Sequence, residues 1–429
     1  FRVSIMNGPE ITPSGAARKE PNANGLYWLI AFVVGAALLC FLAFFFFLFS
    51  LDRTGTFYVG GDAADLDGDG DQDVLVHNMR QESEFTAFSG TVPWFNQGNG
   101  KFVAHRLQQG TEGGGWDSAA GDVDGDGDTD LLVFLGYKVR LLLNQGGGQG
   151  GQEGEFKNSQ VILGPEGNGQ YGTILLGDLN SDGWLDGIVV GCCGRLFTVD
   201  PDDDSLNVSG MWLNNEGRLG VMSQLPALDG LAVRGAALGD LDGDGDLDLF
   251  AAITAPEEGR NRNPADRVLL NDGAGNFSDS GQRLGDWDST AVALGDVDGD
   301  GDLDALTGSE QGTLLWANQG GAQGGAEGIF VLSGPTIGRD LARSIFLEDL
   351  DGDGDLDALI GEQRQATIWW NDGQAVFTED RRRLRTSQRH GLILGDFNGD
   401  GYLDIFAPEY DNNYRLWLNR GDGSFSRTK

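Results

Sequence analysis

Cysteine, histidine and basic residues are all scarce in this 429-residue chain. It holds three cysteines and three histidines, and its 29 Lys+Arg face 66 Asp+Glu, for a formal net charge of −37. Each shortage excludes something. A chain this acidic has no basic surface to displace counterions from a phosphate backbone, so nucleic acid is not expected as a partner. Three cysteines provide no disulfide framework. Cys40 lies in an apolar run, and the adjacent pair Cys192–Cys193 reads either as a strained vicinal disulfide or, preferably, as two small buried strand residues. His77, His105 and His390 stand singly, without zinc spacing. No G-x-S-x-G elbow, H-E-x-x-H pair or histidine cluster marks a hydrolytic site. What the chain has instead is 70 glycines, with 11 prolines and 40% hydrophobic residues. That is the composition of a turn-rich folded protein, as one large domain or two or three smaller ones.

Long apolar runs are equally rare, with one exception. "LYWLIAFVVGAALLCFLAFFFFLFSL", Leu26 to Leu51, carries no charge. As a helix rising about 1.5 Å per residue it is long enough for the ~30 Å hydrocarbon layer. Tyr27 and Trp28 open it, where aromatic rings favour the interface. A cleaved signal peptide would have a shorter apolar region and a small-residue cleavage site, which "FSLDRTG" lacks. The expected order is a polar tail (1–24), a single transmembrane helix (25–51), a short linker (52–56) and a folded domain (57–429). Arg18 and Lys19 precede the span while Asp52 and Arg53 follow it. This bias favours an inside N-terminus and a domain outside, periplasmic or extracellular. Ala31 and Gly35 form a small-xxx-small face for helix packing. Phe41, Phe44, Phe45, Phe46, Phe47 and Phe49 make the other end a bulky aromatic surface. The linker Asp52 to Thr56 reaches under about 18 Å when extended, which holds the domain against its own bilayer.

The acidic residues are not scattered. An aspartate run recurs seven times: "DLDGDGDQD" (65–73), "DVDGDGDTD" (122–130), "DLNSDGWLD" (178–186), "DLDGDGDLD" (240–248), "DVDGDGDLD" (296–304), "DLDGDGDLD" (349–357) and "DFNGDGYLD" (396–404). Short apolar stretches such as "TAVALG" (290–295) and "DALTG" (304–308) flank each run. A third stretch such as "TIWWN" (367–371) follows, then a glycine-rich turn ending in phenylalanine, as in "NDGAGNF" (271–277). Short β-prone runs bounded by Gly, Asn and Asp are antiparallel strands joined by tight turns. Four strands per repeat and seven repeats predict an all-β, seven-bladed β-propeller of four-stranded antiparallel blades. A linear β-solenoid is the alternative, but its rungs are usually shorter. The chain begins at a first strand and ends at a fourth, "SFSRTK", so the ring is expected to close without strand exchange.

These repeats, with D-x-[DN]-x-D-G-x-x-D at their heart, resemble the FG-GAP/VCBS repeats, the family that includes the propeller of integrin α-subunit heads. The resemblance covers roughly 56 to 429. It implies calcium in the loop between the first two strands of each blade. No von Willebrand-type insertion is visible, so integrin-like ligand recognition is not carried over.

The residues themselves point to the same ion. In the fourth loop Asp240, Asp242 and Asp244 supply oxygens at positions 1, 3 and 5. Gly245 allows the turn, Asp246 offers its carbonyl at position 7, and Asp248 closes the shell at position 9. The matching sets are Asp65, Asp67, Asp69, Asp71 and Asp73, then Asp122, Asp124, Asp126, Asp128 and Asp130. Next come Asp178, Asn180, Asp182, Trp184 and Asp186, then Asp296, Asp298, Asp300, Asp302 and Asp304. The last two are Asp349, Asp351, Asp353, Asp355 and Asp357, and Asp396, Asn398, Asp400, Tyr402 and Asp404. Hard oxygen ligands in a flexible loop suit Ca²⁺, whereas Mg²⁺ demands a tighter octahedron. Up to seven ions are expected, one per blade, with weaker binding at the two Asn-containing loops.

The functional expectation is a non-catalytic, membrane-anchored accessory or scaffold subunit of a larger membrane complex, photosynthetic or respiratory complexes being examples. Its partners are the lipid bilayer and neighbouring subunits. The alternatives are a surface adhesion or ligand-binding receptor and a glycan-processing enzyme. Arg381, Arg382, Arg383, Arg385 and Arg389 in "EDRRRLRTSQRHG" (379–391) are expected on the membrane side. The connections near 77–91, 192–210 and 254–266 are expected there too. Arg420-Gly421-Asp422 spells an integrin-binding tripeptide but is explained by the repeated turn. Asn207 and Asn276 fit the N-glycosylation pattern.

Overall fold

The computed structural model describes residues 56–428 apart from 82–86, 99, 106, 108–114, 136–137, 147–149, 164–170, 193–208, 255–263, 322–323, 363–364, 387–390 and 410–412. The polar tail and the apolar segment Leu26 to Leu51 therefore lie outside the described residues, as do Cys193, Asn207, Arg389 and His390. Among the described residues no helix is long and apolar enough to cross a membrane.

Twenty-eight strands form seven four-stranded antiparallel sheets, each made of four consecutive strands. Blade 1 comprises β1 (Thr56–Ala64), β2 (Asp73–Gln81), β3 (Ala87–Asn96) and β4 (Phe102–Ala104). Blades 2 to 7 follow as β5–β8 (115–163), β9–β12 (171–224), β13–β16 (232–279), β17–β20 (289–337), β21–β24 (344–385) and β25–β28 (393–427). No strand is exchanged, and β1 packs against β25 (Ile393–Gly395) to complete the ring. The seven-bladed propeller expected from the repeats is the fold.

The repeat's hydrophobic pattern follows from this packing. A second strand has a neighbouring blade on each face, so β14 (Asp248–Thr254) is buried at every position, and its sequence runs apolar instead of alternating. Cores lie between blades. Leu241, Phe250 and Val268 of blade 4 meet Ala305, Trp316 and Phe330 of blade 5. The glycine that precedes the aspartate run in blades 2, 3, 4, 5 and 7 has a packing reason. A Cβ on Gly239 would lie 2.7 Å from Leu303 Cδ1 of the next blade, and one on Gly295 2.8 Å from Leu356 Cδ1. Only glycine leaves room there.

Among the described residues the seam between blades 7 and 1 is richest in aromatic rings. Phe102 stands edge-on to Phe397, Phe406 and Tyr414 at centroid distances of 5.4, 5.0 and 5.5 Å. Trp94 meets Tyr414 at 5.7 Å. Such pairs add to the area they bury, and they close the ring where no shared strand does. Across the same seam Gln72 Oε1 accepts the Asp396 N–H at 2.8 Å.

Two expectations are corrected. The segment 77–91 is mostly strand, since β2 runs to Gln81 and β3 begins at Ala87. The arginine run is not a connection either, because Glu379–Arg385 lies in β24 (Thr378–Arg385), an outer edge strand. Its charges are partly spent within the blade. Arg382 pairs with Asp380 at 2.7 Å, and Glu379 takes Arg383 and Arg339 at 3.1 Å each. A charged edge strand discourages pairing with another sheet.

Some acids serve the fold alone. His77 is fully buried, and burial holds its pKa down to about 3. A one-way hydrogen-bond chain follows from that neutral ring. Thr91 donates to Nδ1 (3.0 Å), Nε2–H donates to Ser118 Oγ (2.8 Å), and Ser118 donates to Asp62. The chain ties blade 1 to blade 2. Asp117 is pushed up to about 8 by burial and by Asp62, and accepts the Ile174 N–H of blade 3 at 2.9 Å. Asp266 is buried at 1% exposure and accepts from Ile253 N–H (2.8 Å) and from Ser289 Oγ of the next blade (2.9 Å). Burial raises it to about 8.

Because the folded protein prefers Asp266 protonated, the contribution of this group to wild-type stability falls as pH rises from about 4, the unfolded value, through about 8. Asp266→Asn keeps the acceptor and cannot ionise. Its stability relative to wild type, measured by urea unfolding, is expected to rise across that window. A difference independent of pH would contradict the assignment.

Candidate metal centre

Each aspartate run is the turn between the first and second strands of its blade, and backbone N–H groups wrap it around its first carboxylate. In the blade 4 loop Asp240 Oδ1 takes the Gly243 N–H at 2.8 Å and Oδ2 takes the Gly245 N–H at 3.0 Å. Asp65, Asp122, Asp296, Asp349 and Asp396 do the same. Gly243 and Gly245 hold φ of 77° and 94°, the left-handed region that a side chain disfavours. The position-7 amide then donates to the position-5 carboxylate, as Asp246 does to Asp244 (3.0 Å), Trp184 to Asp182 (2.9 Å) and Tyr402 to Asp400 (3.1 Å). Asp71, Asp128, Asp302 and Asp355 repeat the contact.

Position 9 does more than close a shell. Asp248 is fully buried; its Oδ2 accepts the Leu241 N–H of its own loop (2.9 Å) and its Oδ1 the Asn271 N–H of the third strand (2.8 Å). Asp73, Asp130, Asp186, Asp304, Asp357 and Asp404 bind the equivalent pairs. The asparagine so held turns its side chain across the seam. Asn271 Nδ2 donates to Leu179 O of blade 3 at 2.8 Å and to Leu247 O of its own loop at 3.2 Å. The same inter-blade bond comes from Asn144 to Leu66 O, Asn214 to Val123 O, Asn318 to Leu241 O, Asn371 to Val297 O and Asn419 to Leu350 O. Asn96 closes the circle on Phe397 O at 2.9 Å. The sequence places this asparagine in a turn; its reach into the previous blade is visible only in the folded ring, although its recurrence six residues before a phenylalanine, as in Asn96/Phe102, Asn271/Phe277, Asn371/Phe377 and Asn419/Phe425, was the available signal.

The carboxylates left over fit a hard cation. Groups of three ligand oxygens lie within 4.8 Å of one another at Asp65, Asp67 and Asp73, at Asp122, Asp124 and Asp130, and at Asp240, Asp242 and Asp248. So do Asp296, Asp298 and Asp300, and Asp349, Asp351 and Asp353. Asp67 Oδ1 and Asp242 Oδ1 are buried without a hydrogen-bond partner. Burial first, and then neighbouring aspartates, raise the pKa of Asp67, Asp242 and Asp351. Burial pushes Asp73 and Asp130 up to about 7 against the pull of their backbone donors. Crowded, desolvated acids with orphaned oxygens are what a divalent ion relieves. The two remaining loops relieve themselves in part. Asn180 Nδ2 donates to Asp182 Oδ2 at 3.1 Å, and Asn398 Nδ2 to Asp404 Oδ2 at 3.2 Å.

Two outcomes are expected. In calorimetry, raising free calcium from chelator-buffered traces should lift the melting temperature progressively, each ion contributing about 2.7 kcal/mol at a hundredfold excess over its Kd. The loops at 178–186 and 396–404 fill last; a melt indifferent to calcium would refute the assignment. Asn271→Ala should cost about 1–3 kcal/mol in chemical denaturation by stranding buried carbonyls. The exposed Asn276→Ala should stay within about 0.5 kcal/mol.

The model of the FG-GAP-like repeat matches residues 65–133, 240–307, 349–407 and 396–429, together just over half of the chain. No curated protein matches it. Among solved structures it is similar to an Agrocybe aegerita lectin described as recognising non-reducing terminal N-acetylglucosamine. That likeness has 19% identity and a TM-score of 0.52, over 79% of this chain and 86% of the lectin. A Lactobacillus plantarum protein is similar at 10% identity and TM-score 0.50, over 81% and 92% of the two chains. A rhamnogalacturonan lyase of Bacillus licheniformis is similar at 14% identity and TM-score 0.43, over 84% and 71%. At these identities the first two likenesses concern the propeller fold alone. On the strength of its matched repeats, the chain belongs to the FG-GAP-like repeat family.

Proposed function

We propose that the chain is a non-catalytic, calcium-stabilised propeller, tethered to a membrane by its apolar 26–51 segment, that serves as an accessory or scaffold subunit of a larger membrane complex. The observation that carries this reading is the unequal treatment of the ring's two sides. On one side all seven blades repeat the same aspartate loop and asparagine bond. On the other, the connections from second to third strand range from 136–137 and 310–311 to 193–209 and 255–266. A side made uniform by metal and hydrogen bonds supplies rigidity, and a side free to vary in its loops supplies recognition. Neighbouring membrane subunits suit a domain on so short a linker better than a distant soluble ligand does.

Extraction of native membranes in mild detergent tests this. In calcium the chain should remain in the membrane fraction and co-purify with a fixed set of membrane subunits. Deletion of 26–51 should release it. Purification of the chain alone with a soluble glycan, or turnover of a sugar, would replace the proposal with a receptor or an enzyme.

A further inference from the structure

Two of the turns between third and fourth strands are longer than the others and share one sequence. N-Q-G-G-x-Q-G-G-x-E-G-x-F occurs at 144–156 in blade 2 and at 318–330 in blade 5. Each carries a glutamate over the aspartate loop of the preceding blade. A Cβ on Gly68, position 4 of the blade 1 loop, would run into the Glu153 carboxylate, and one on Gly243 of blade 4 would run into that of Glu327. The following glycines repeat the likeness. A Cβ on Gly154 would lie 3.1 Å from Asp67 Cβ, and one on Gly328 2.9 Å from Asp242 Cβ.

The same glutamates meet the position-7 aspartate of their own blade. Glu153 is within hydrogen-bonding reach of Asp128, and Asp65 and Asp67 of blade 1 add to the negative field on it. The space a Cβ would take on Gly146 is bounded by Glu153 Cγ and Asp128 Oδ2; on Gly320 it is bounded by Glu327 Cγ and Asp302 Oδ2. Asp128 is only 6% exposed, yet its Oδ2 has no hydrogen-bond partner. Both carboxylate oxygens of Asp302 are likewise buried without a hydrogen-bond partner, and the carboxylates of Asp300 and Asp298 crowd it. An orphaned buried oxygen facing a second carboxylate requires a shared proton or a cation. With a further acidic loop at its back, the cation relieves more of the repulsion.

We propose that Glu153 with Asp128, and Glu327 with Asp302, each hold a further divalent cation in the seam between blades 1 and 2 and between blades 4 and 5. Oxygen-only ligands on a glycine-rich turn, open to solvent for completing waters, suit calcium. The inference rests on the reading that the loops themselves take calcium. Its role is to stitch neighbouring blades from outside the loops.

Calcium bound per chain, counted by elemental analysis after dialysis at pH 7 against about 2 mM calcium, decides it. The double variant Glu153→Gln/Glu327→Gln, at exposed positions that leave the core intact, should hold about two ions fewer than wild type. Glu310→Gln, an exposed acid in the 310–311 connection away from the aspartate loops, should hold the wild-type number. Equal counts in wild type and the double variant would overturn the extra sites while leaving the loop sites standing. A wild type that holds no calcium would overturn both.

Discussion

Mutual repulsion among carboxylates is the constraint on which this ring depends. Each blade gathers four or five acidic or amide side chains into one tight turn, and two forces hold them there. Backbone N–H groups come first, two on the position-1 aspartate and two on the buried position-9 aspartate. These bonds fix the turn but cannot neutralise it, and the orphaned oxygens of Asp67 and Asp242 mark what they leave undone. A divalent ion held there would supply the remainder, and folding and metal binding would then be one equilibrium.

The loop's order is then passed around the ring. Asp248 holds the backbone of Asn271, and Asn271 holds the loop of blade 3; seven such links return to their start at Asn96 and Phe397. No strand is shared between the first and last blades. Closure therefore rests on this hydrogen-bonded circle and on the aromatic packing of Trp94, Phe102, Phe397, Phe406 and Tyr414. A ring stiffened on one side can carry loops of any length on the other without loss of shape, as the proposed scaffold role requires.

Acidity in this chain has more than one use. Asp62, Asp117 and Asp266 lie away from the aspartate loops and bind across blade seams through hydroxyls and amides. The outer strand β24 pairs its two acids, Asp380 and Glu379, with its own Arg382 and Arg383. Net charge alone would assign all of these to metal or solvent. Burial and partners separate them.

What the sequence determined by itself is everything that repeats locally. Seven aspartate runs at near-regular spacing, each between short apolar stretches, dictate the blade count, the strand order and the loop carboxylates from Asp65 to Asp404. They do so because a β-turn and its flanking strands are set by neighbours in the chain. Contacts between blades were decided only by the tertiary structure. Nothing adjacent to Asn271 announces that its amide reaches Leu179; nothing near Glu153 places it over Gly68; and the arginines of 381–385 look like a loop until the sheet claims them as its edge. Partners 69 to 92 residues apart meet because closing the ring brings successive blades face to face, a geometry that no local pattern encodes.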